Sequence, residues 1–498
     1  MTAQTPITSL TDAVNAQITE ILEKALPELL SGVLTGRELE VGVWPTVLEI
    51  GRVLLAAALT MACWRVMWRE TGGSPVRLRM DADYTLASST TFGRVHVPLF
   101  AWREGRKTVC PARAEVFPLH PKCRSSELLL EWEARVGAHL PFRQAEDALS
   151  FFSHGAVHTE DTTIARHIGL IGGLLAHRWT NRSPAKVREI LQKRATRDLK
   201  NGRPLLYAST DAHALNRYVD DTWKAEPKML NGIRFWCIDR KTGQTIHIGG
   251  EYTWGDCRVV AQRMGGLVEH LVPTGDAAPQ VVFIVDGMPW IREHVHPMMP
   301  PGTRFILDFY HLASRLEKYA AARFGTKTKP ARAWVRKVVT QLTGKRPYRK
   351  AVHAKRRGHT KKRRVPANPF RIVHETVHPH GAGDRFLRDL IDHEPDSKEL
   401  EELINYVAAN VDRIDYSAYR AHGSQIGSGA MESLHRTASQ MRLKLAGARW
   451  TPERAIAVLN LRLMLLAERW SDFWSHPDLT KTLADAFSSC PADLRTVA

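Results

Sequence analysis

The spacing of apolar residues predicts long helices at the start of the chain. Apolar positions recur at helical intervals between residues 7 and 34, and a second apolar helix is expected from about 44 to 68. Its longest apolar stretch, 53–64, is too short to cross a bilayer and is bounded by arginines, so we expect a buried helix.

The pattern then changes twice. After the glycines and proline of 72–75, the chain alternates between apolar and polar residues up to about 102, as β-strands do. From Glu127 it is helical again, with two amphipathic segments separated by a turn at 153–155. This helix-turn-helix-like layout could enter a DNA major groove, although any two packed helices give a similar pattern.

The segment 205–324 has the most informative pattern. LLYASTDA, IRFWCID and QTIHIGG alternate like three antiparallel strands, with a tight turn at 241–243 between the last two. An amphipathic helix, a strand typical of burial on both faces (VVFIVDG), a helix, a further strand (TRFILDF) and a third helix follow. The predicted fold class is α/β: an RNase H-like core (βββαβαβ) interrupted by an α-helical insertion and preceded by α-helical and small β segments.

The chain is too long for a single core, with 498 residues of which 44% are hydrophobic. We divide it into six segments: an N-terminal helical region (1–75), a small β unit (76–125), a helix-turn-helix-like DNA-binding region (126–200), the first part of the core (201–322), a basic helical insertion (323–425) and the last core helix with the C-terminal helices (426–498).

Charge points to a polyanionic partner. The chain has 70 lysines and arginines against 52 acids, a net charge of +18, and the segment 345–364 holds 11 of these bases and no acid. A solvated loop is the ordinary interpretation of such a run, but its density favours phosphate binding. The predicted DNA-binding residues in this segment are Arg346, Arg349, Lys350, Lys355, Arg356, Arg357, Lys361, Lys362, Arg363 and Arg364.

The N-terminus and the cysteines indicate a cytoplasmic protein. The first residues show neither a positive region nor an apolar core, so a signal peptide is not expected. Six cysteines are scattered without a CxxC pair, which favours reduced thiols over a disulfide framework or a zinc ribbon. We predict no membrane partner.

Two aspartates follow the predicted strands in places that suit metal chemistry. Asp211 is expected to end the first core strand and Asp286 to end the buried central strand, so the two would lie side by side. Paired carboxylates repel each other unless a cation neutralises them, and hard oxygen ligands suit Mg²⁺ or Mn²⁺. Each aspartate alone is also compatible with an ordinary turn or helix cap.

A later segment, IGSGAMESLHRTASQMRLKLAGARW, places Glu432 near the start of a helix that ends before Gly447. Together with TDAHALNR, VFIVDGMPWI and LDFYHLASRLEKY, in this order, it resembles bacterial insertion-sequence transposases of the DDE type, closest to the ISKra-type family. The resemblance covers about 92–474 and is strongest around Asp286 and over 427–450.

The resemblance implies a reaction. Asp211, Asp286 and Glu432 match the family's catalytic acids and would hold two Mg²⁺ or Mn²⁺ ions, which lie about 3.5 to 4 Å apart in two-metal sites. The implied activity is cleavage of element ends and strand transfer into target DNA. The implied partners are double-stranded DNA with terminal inverted repeats, target DNA and further copies of the chain in a homodimer or higher oligomer. The bacterial protein would be associated with the nucleoid.

Other residues receive supporting roles. Asp308-x-x-His311 resembles a signature of related transposases, so we expect a structural or DNA-positioning role, which the resemblance also gives to Trp450. A strand-end acid beside a buried histidine is an equally good interpretation of the Asp308 motif. Arg436 and Ser439 are expected on the helix face of Glu432, where Arg436 could contact DNA.

Alternatives from other classes stay open. A DNA-binding protein could keep this fold without catalysis, and a plain nuclease could use the same acids without joining ends. His374, Glu375 and His378 form an HExxH pattern typical of zinc metalloproteases, but the prolines around it shorten any helix. Relatives carry a CxxC pair where this chain has the separated Cys110 and Cys123, so zinc binding there is not expected.

Overall fold

The structure is a computed structural model that describes residues 5–31, 35–74, 78–79, 84–120, 122–175, 177–219, 224–344 and 381–489. Contacts divide the chain into two compact units. The first unit comprises Met1–Ala176, Thr451–Arg462 and Trp470–Ala498, and the second comprises His177–Trp450 and Leu463–Arg469.

The first unit begins with two long helices, as the apolar spacing predicts. Thr35 starts the second helix with a capping box, in which its side chain accepts from the amide of Glu38 and its amide donates to the Glu38 carboxylate. Short strands and a group of helices follow: α1 (Thr5–Leu30), α2 (Gly36–Glu70), β1 (Leu78–Arg79), β2 (Thr85–Thr90), β3 (Gly93–Pro98), β4 (Ala101–Glu104), β5 (Lys107–Val109), α3 (Ala112–Glu115), α4 (Glu127–His139), α5 (Phe142–Phe152) and α6 (Asp161–Leu174).

The helix α2 is more accessible than the sequence suggests. The stretch expected to be a buried helix lies within this 35-residue helix, whose buried residues are Cys63, Val66 and Met67 near its C-terminal end. These pack with β3 and β4 residues such as Val97 and Trp102, while Leu54 is exposed. The expectation of burial is wrong because only one face of the stretch packs on the core, where Leu55 and Leu59 are partly buried, while the other face is open. By length and composition alone, α2 could also cross a membrane, which for a single helix is weak evidence.

The second unit is built on a mixed sheet of five strands in the order β10-β9-β6-β7-β8. β6, β7 and β8 are antiparallel neighbours, whereas β9 pairs in parallel with both β6 and β10. The elements of this part are α7 (His177–Thr180), α8 (Pro184–Lys193), β6 (Leu205–Val219), β7 (Lys224–Ile238), β8 (Thr245–Thr253), α9 (Cys257–Leu271), β9 (Gln280–Val285), β10 (Arg304–Leu307) and α10 (Phe309–Phe324).

The order of these elements along the chain is the predicted one, three antiparallel strands and then alternating helices and strands. The central strand is β6 rather than the strand before Asp286, because β6 is the third of the five strands in the sheet order. All six residues of β9 are buried, in agreement with its uninterrupted apolar sequence. The chain is therefore a mixed α/β protein.

Helices complete the second unit, and the last described helices return to the first unit, which includes Thr451–Arg462 and the residues from Trp470 onward. Leu342, Phe386, Leu403 and Tyr416 from four of these helices belong to the same buried core as the sheet. The helices are α11 (Lys329–Thr343), α12 (Ala382–His393), α13 (Lys398–Ala409), α14 (Tyr416–Ala421), α15 (Gly429–Leu434), α16 (Met441–Leu443), α17 (Pro452–Leu466), α18 (Trp470–Trp474) and α19 (Leu479–Ser489), with a π-helical turn (His435–Gln440) between α15 and α16.

Candidate active site

Asp211 and Asp286 lie at matching positions on neighbouring strands. β6 and β9 pair in parallel up to Ser209 and Ile284. Two residues further along each strand direction, the same register places Asp211 opposite Asp286. Asp286 directly follows β9, as predicted. The prediction that Asp211 ends its strand is wrong, because β6 continues in its antiparallel ladder with β7, where Asp211 is opposite Gly232.

The surroundings disfavour charge on both carboxyl groups. Burial raises the pKa of Asp286, and the neighbouring Asp211 carboxylate raises it further. Burial likewise raises the pKa of Asp211, with a further contribution from Asp308, while His311 opposes the increase at both sites. Two partly desolvated, mutually repelling carboxylates form a donor set that suits a hard divalent cation.

The turn after β9 fixes the backbone of Asp286. The Asp286 carboxylate accepts a hydrogen bond of 2.9 Å from the amide of Met288, and the Tyr406 hydroxyl donates to the Asp286 carbonyl at 2.9 Å. Between them, Gly287 has a positive φ of 87°, and a Cβ there would lie 2.9 Å from both the Leu307 side chain and the Tyr406 hydroxyl. Glycine is therefore required by conformation and by space.

Asp308 joins three segments around this turn. Its side chain is buried and caps α10 by accepting from the amides of Tyr310 and His311. Its own amide donates to the Val285 carbonyl at 2.6 Å, and its second carboxylate oxygen accepts from the amide of Ser428 at 2.6 Å. Asp308 thus connects the end of β9 to the segment that leads into α15, whereas His311 is exposed.

A buried histidine from the π-helical turn lies on the other side of Asp211. His435 Nε2 is 3.7 Å from Asp211 Oδ2, and its Nδ1 is 3.4 Å from the Tyr252 hydroxyl. His213 packs edge-on against His435 with ring centroids 4.5 Å apart, and its Nε2 is 2.9 Å from Ser439 Oγ. Burial lowers the pKa of each histidine to about 4, so both imidazoles are neutral at pH 7.

Glu432 and Arg436 are exposed, whereas Ser439 is buried. The expectation that all three share one face is wrong, because the π-helical turn shifts the helical register and directs Ser439 toward His213. Among the residues that the structure describes, no group of three or more histidine, cysteine, aspartate or glutamate side chains could hold a metal ion. The structure thus pairs Asp211 with Asp286 and leaves Glu432 outside a preformed ligand set.

Trp450 fixes the end of the segment that carries Glu432. Its buried indole donates to the Leu443 carbonyl at 2.9 Å, and its backbone amide donates to the Asn216 carbonyl at 3.2 Å. The Arg442 guanidinium also lies over the ring, with its central carbon 5.1 Å from the ring centroid. These contacts attach the polypeptide after α16 to the edge of β6.

Other predicted residues lie elsewhere. The basic segment 345–364 and the HExxH pattern of His374, Glu375 and His378 lie outside the described residues. Cys110 is half-buried, with its sulfur 3.9 Å from the Leu99 carbonyl, and Cys123 lies beside His167.

The sequence pattern did not identify His213, Tyr252 or His435 as neighbours of Asp211. His435 lies one helical turn after Glu432, which was an available signal, but the other two residues reach the site only through strand pairing. Gly232 also went unnoticed, although a Cβ at this position would lie within 2.9 Å of the Met431, His435 and Tyr252 side chains. A glycine here lets α15 and the π-helical turn approach the sheet closely.

Comparison with known proteins gives little further information. No protein-family model matches the chain, and no curated protein matches it. One similar solved structure is the Drosophila P element transposase strand transfer complex, with 13% sequence identity and a TM-score of 0.23 over 72% of this chain and 83% of that one. It is a weak structural neighbour, and a similarity of this size carries no argument about fold or function.

Proposed function

We propose that this chain is a DNA transposase with an RNase H-like core, in which Asp211 and Asp286 hold divalent metal ions. The observation that supports the proposal is the register of the two aspartates across adjacent parallel strands. The sheet order β8-β7-β6-β9-β10, with three antiparallel strands and then two parallel ones, agrees with an RNase H-like core. The sequence motifs that resemble ISKra-type transposases contain the same two aspartates, at positions that match the family's catalytic acids.

The chemistry assigned to the chain is phosphoryl transfer. When bound, two Mg²⁺ or Mn²⁺ ions would supply a Lewis acid for the attacking oxygen and for the leaving oxygen of a DNA phosphodiester. Asp211 and Asp286 bind the metal, and Glu432 is the third proposed acid, on the segment that also places His435 against Asp211. Asp308 positions this segment through Ser428.

The proposed substrate is double-stranded DNA with terminal inverted repeats, which the enzyme cuts before it joins the ends to target DNA. The 11 bases of 345–364 and the exposed Arg436 are proposed to contact the phosphate backbone. Holding two ends together requires a homodimer or a higher oligomer. The proposed location is the bacterial cytoplasm, at the nucleoid.

One observation favours a second candidate, a DNA-binding protein without catalysis. Glu432 is exposed and does not complete a group of metal ligands within the described residues. In that case the fold would bind DNA through its basic segment, and the two aspartates would be remnants of an ancestral site.

The full chain should be tested on DNA that carries the inverted repeats flanking its gene, with Mg²⁺ or Mn²⁺. We expect cleavage and joined products with wild type, and neither with Asp286→Asn. Asp276→Asn is the matched control, because Asp276 is an exposed aspartate on the same unit away from the site. Tight binding without cutting by any of the three proteins would favour the second candidate, while cutting without joining would indicate a nuclease.

A further inference from the structure

Three buried side chains in the first unit form a continuous chain of contacts. The sulfur of Cys123 is 3.8 Å from His167 Nε2, and His167 Nδ1 is 2.5 Å from Glu133 Oε2. Cys123, His167 and Glu133 are each at most 3% exposed. A thiol, an imidazole and a carboxylate in this order give a nucleophile, its base and the group that orients the base.

The fold holds the carboxylate and the imidazole in place from several directions. Glu133 on α4 accepts hydrogen bonds from the hydroxyls of Thr159 at 2.9 Å and Ser125 at 3.3 Å. His167 on α6 packs edge-on against Phe487, with ring centroids 5.5 Å apart. One ring nitrogen of His167 therefore faces Cys123 and the other faces Glu133, while Phe487 packs against the ring.

The environment of His167 favours its protonated form. Burial alone would lower the pKa of His167, but its interactions with Cys123 and Glu133 raise that pKa to about 9. Reactive cysteines in enzymes commonly lie beside a protonated histidine. The three side chains form a linear series and do not converge on one point, and Cys123, His167 and Glu133 do not form a group of ligands that could hold a metal ion. The arrangement therefore suits covalent chemistry at sulfur better than metal binding.

Cys123 also lines a cavity of about 290 Å³. Its walls include apolar side chains of α2, β2 and the segment before α4, among them Leu55, Leu59, Leu86 and Phe117. Leu55, Leu59 and Phe117 are only partly buried, so the cavity reaches the surface of this unit. A small, largely apolar molecule is the kind of ligand that such a space accepts.

We propose that Cys123 is a covalent attachment site for small apolar α,β-unsaturated carbonyl compounds that enter this cavity. The Cys123 sulfur forms a bond to the β-carbon of the compound as the carbon–carbon π bond breaks. The sulfur attacks as a thiolate whose proton is held on His167 Nε2, and that proton passes to the α-carbon, so the adduct is a neutral thioether and no other reactant is consumed. Glu133 keeps the imidazole oriented throughout.

This site does not depend on the proposed transposase activity. It lies in the first unit, whereas Asp211 and Asp286 belong to the second. Modification of Cys123 can therefore be measured whether or not the protein cuts DNA.

The test is a labelling time course of the full folded chain with N-ethylmaleimide, a small α,β-unsaturated carbonyl compound, read by peptide mass spectrometry. Cys110 is the comparison, because it is more exposed than Cys123 and has no comparable imidazole contact in the structure. Cys63, fully buried in the core that also forms part of the cavity wall, reports unfolding. We expect Cys123 to react at least about tenfold faster than Cys110, while Cys63 stays unmodified.

His167→Gln should slow labelling of Cys123 at least about tenfold and leave the rate at Cys110 unchanged. Glu133→Gln, which keeps the size of the side chain, should give a smaller decrease in the same direction. The proposal is overturned if wild-type Cys123 reacts no faster than Cys110, if it reacts only together with Cys63, or if folded His167→Gln labels at the wild-type rate. If a variant unfolds, Cys63 becomes labelled. The proposal is then decided by the labelling rates of Cys123 and Cys110 in wild type alone.

Discussion

The buried carboxylate of Asp308 accepts a hydrogen bond of 2.6 Å from the backbone amide of Ser428, 120 residues further along the chain. Phe309 strengthens the connection, because its amide donates to the Ile426 carbonyl at 2.9 Å. The start of α10 and the segment before α15 are thus held together by two hydrogen bonds. This contact positions the segment that carries Glu432 relative to Asp286, since Asp308 also donates its amide to the last residue of β9.

Asp308→Asn should loosen this segment. One carboxylate oxygen accepts from the amides of Tyr310 and His311 while the other accepts from Ser428, so the asparagine NH₂ would face at least one N–H donor. A hydrogen bond to a charged group contributes about 1.5 to 3 kcal/mol, so amide exchange over 428–434 should rise at least about tenfold. Hydrogen exchange with mass spectrometry measures the change.

The matched control for this variant is Asp256→Asn. Asp256 caps α9 through the amides of Arg258 and Val259, but it is not linked to the segment before α15 by a described hydrogen bond. Exchange at the start of α9 should rise, and exchange over 428–434 should stay unchanged. Equal effects of both substitutions on 428–434 would show that the Asp308 contact does not hold the segment.

Gly287→Ala should destabilise the second unit and disturb Asp286. The positive φ costs an alanine about 1 to 2 kcal/mol, and its Cβ would crowd Leu307 and Tyr406 at 2.9 Å. We expect the free energy of unfolding to fall by about 2 to 4 kcal/mol, measured by urea titration. Gly302→Ala is the control: its φ is also positive, at 78°, but nothing lies within 4 Å of the added carbon, so it should lose only about 1 kcal/mol.

Equal losses in the two variants would contradict the close packing of Gly287 against Tyr406. The loss at Gly287 should also be accompanied by weaker DNA cleavage if the proposed function holds, because the same turn carries Asp286. Gly302→Ala should leave cleavage at the wild-type level.

The features of the second unit that follow from local sequence were predictable. The apolar run of β9, the turn after it and the helix after Asp308 all have patterns that depend on neighbouring residues alone. The position of Asp211 within a longer strand was not predictable in this way. It depends on the ladder with β7, which pairs residues up to Val219 and Lys224 and is not encoded by the residues next to Asp211.

The candidate site likewise combines features that the sequence predicts with features that depend on the folded structure. The pairing of Asp211 with Asp286 follows from the order of strands, which the sequence could supply. The placement of His435 depends on a π-helical turn, and no residue pattern in HRTASQ distinguishes that turn from an α-helix. The contacts among Cys123, His167 and Glu133 join residues up to 44 positions apart. They depend on the packing of α4 against α6 and could not be predicted from local sequence.

Asp198 should make the second unit sensitive to acid. Burial alone would raise its pKa, but hydrogen bonds from Arg304, from the amides of Lys200 and Asn201 and from His422 lower it to about 2. Because the folded-state pKa lies below that of the unfolded chain, the contribution is complete above about pH 4 and is lost as the pH falls through 2. The shift corresponds to about 2 kcal/mol.

Asp198→Asn should therefore lower the free energy of unfolding by at least about 2 kcal/mol at pH 7, measured by urea titration. The difference from wild type should shrink as the pH falls from 4 to 2. Asp276→Asn, a change at an exposed aspartate, should leave stability within about 0.5 kcal/mol of wild type at every pH. A difference at Asp198 that is independent of pH would exclude the ion pair with Arg304 as its cause.

Asp286→Asn should stabilise the protein in the absence of metal. The pKa of Asp286 is raised in the folded state by burial and by Asp211, so its ionised form opposes folding at pH 7, and the neutral amide removes that cost. The amide oxygen can still accept from Met288, as the carboxylate does at 2.9 Å. We expect a small gain in the free energy of unfolding with EDTA present.

With Mn²⁺, wild type should become more stable than Asp286→Asn. Binding to the folded state alone stabilises wild type by RT ln(1 + [Mn²⁺]/Kd), about 2.7 kcal/mol at a concentration one hundred times Kd. Asp286→Asn lacks one of the two paired carboxylates and should gain much less, so the two urea curves cross between EDTA and Mn²⁺. If the variant is less stable than wild type in EDTA, the mutual repulsion of Asp211 and Asp286 is refuted. If Mn²⁺ stabilises both proteins equally, the ion binds elsewhere and the aspartate pair is not the metal site.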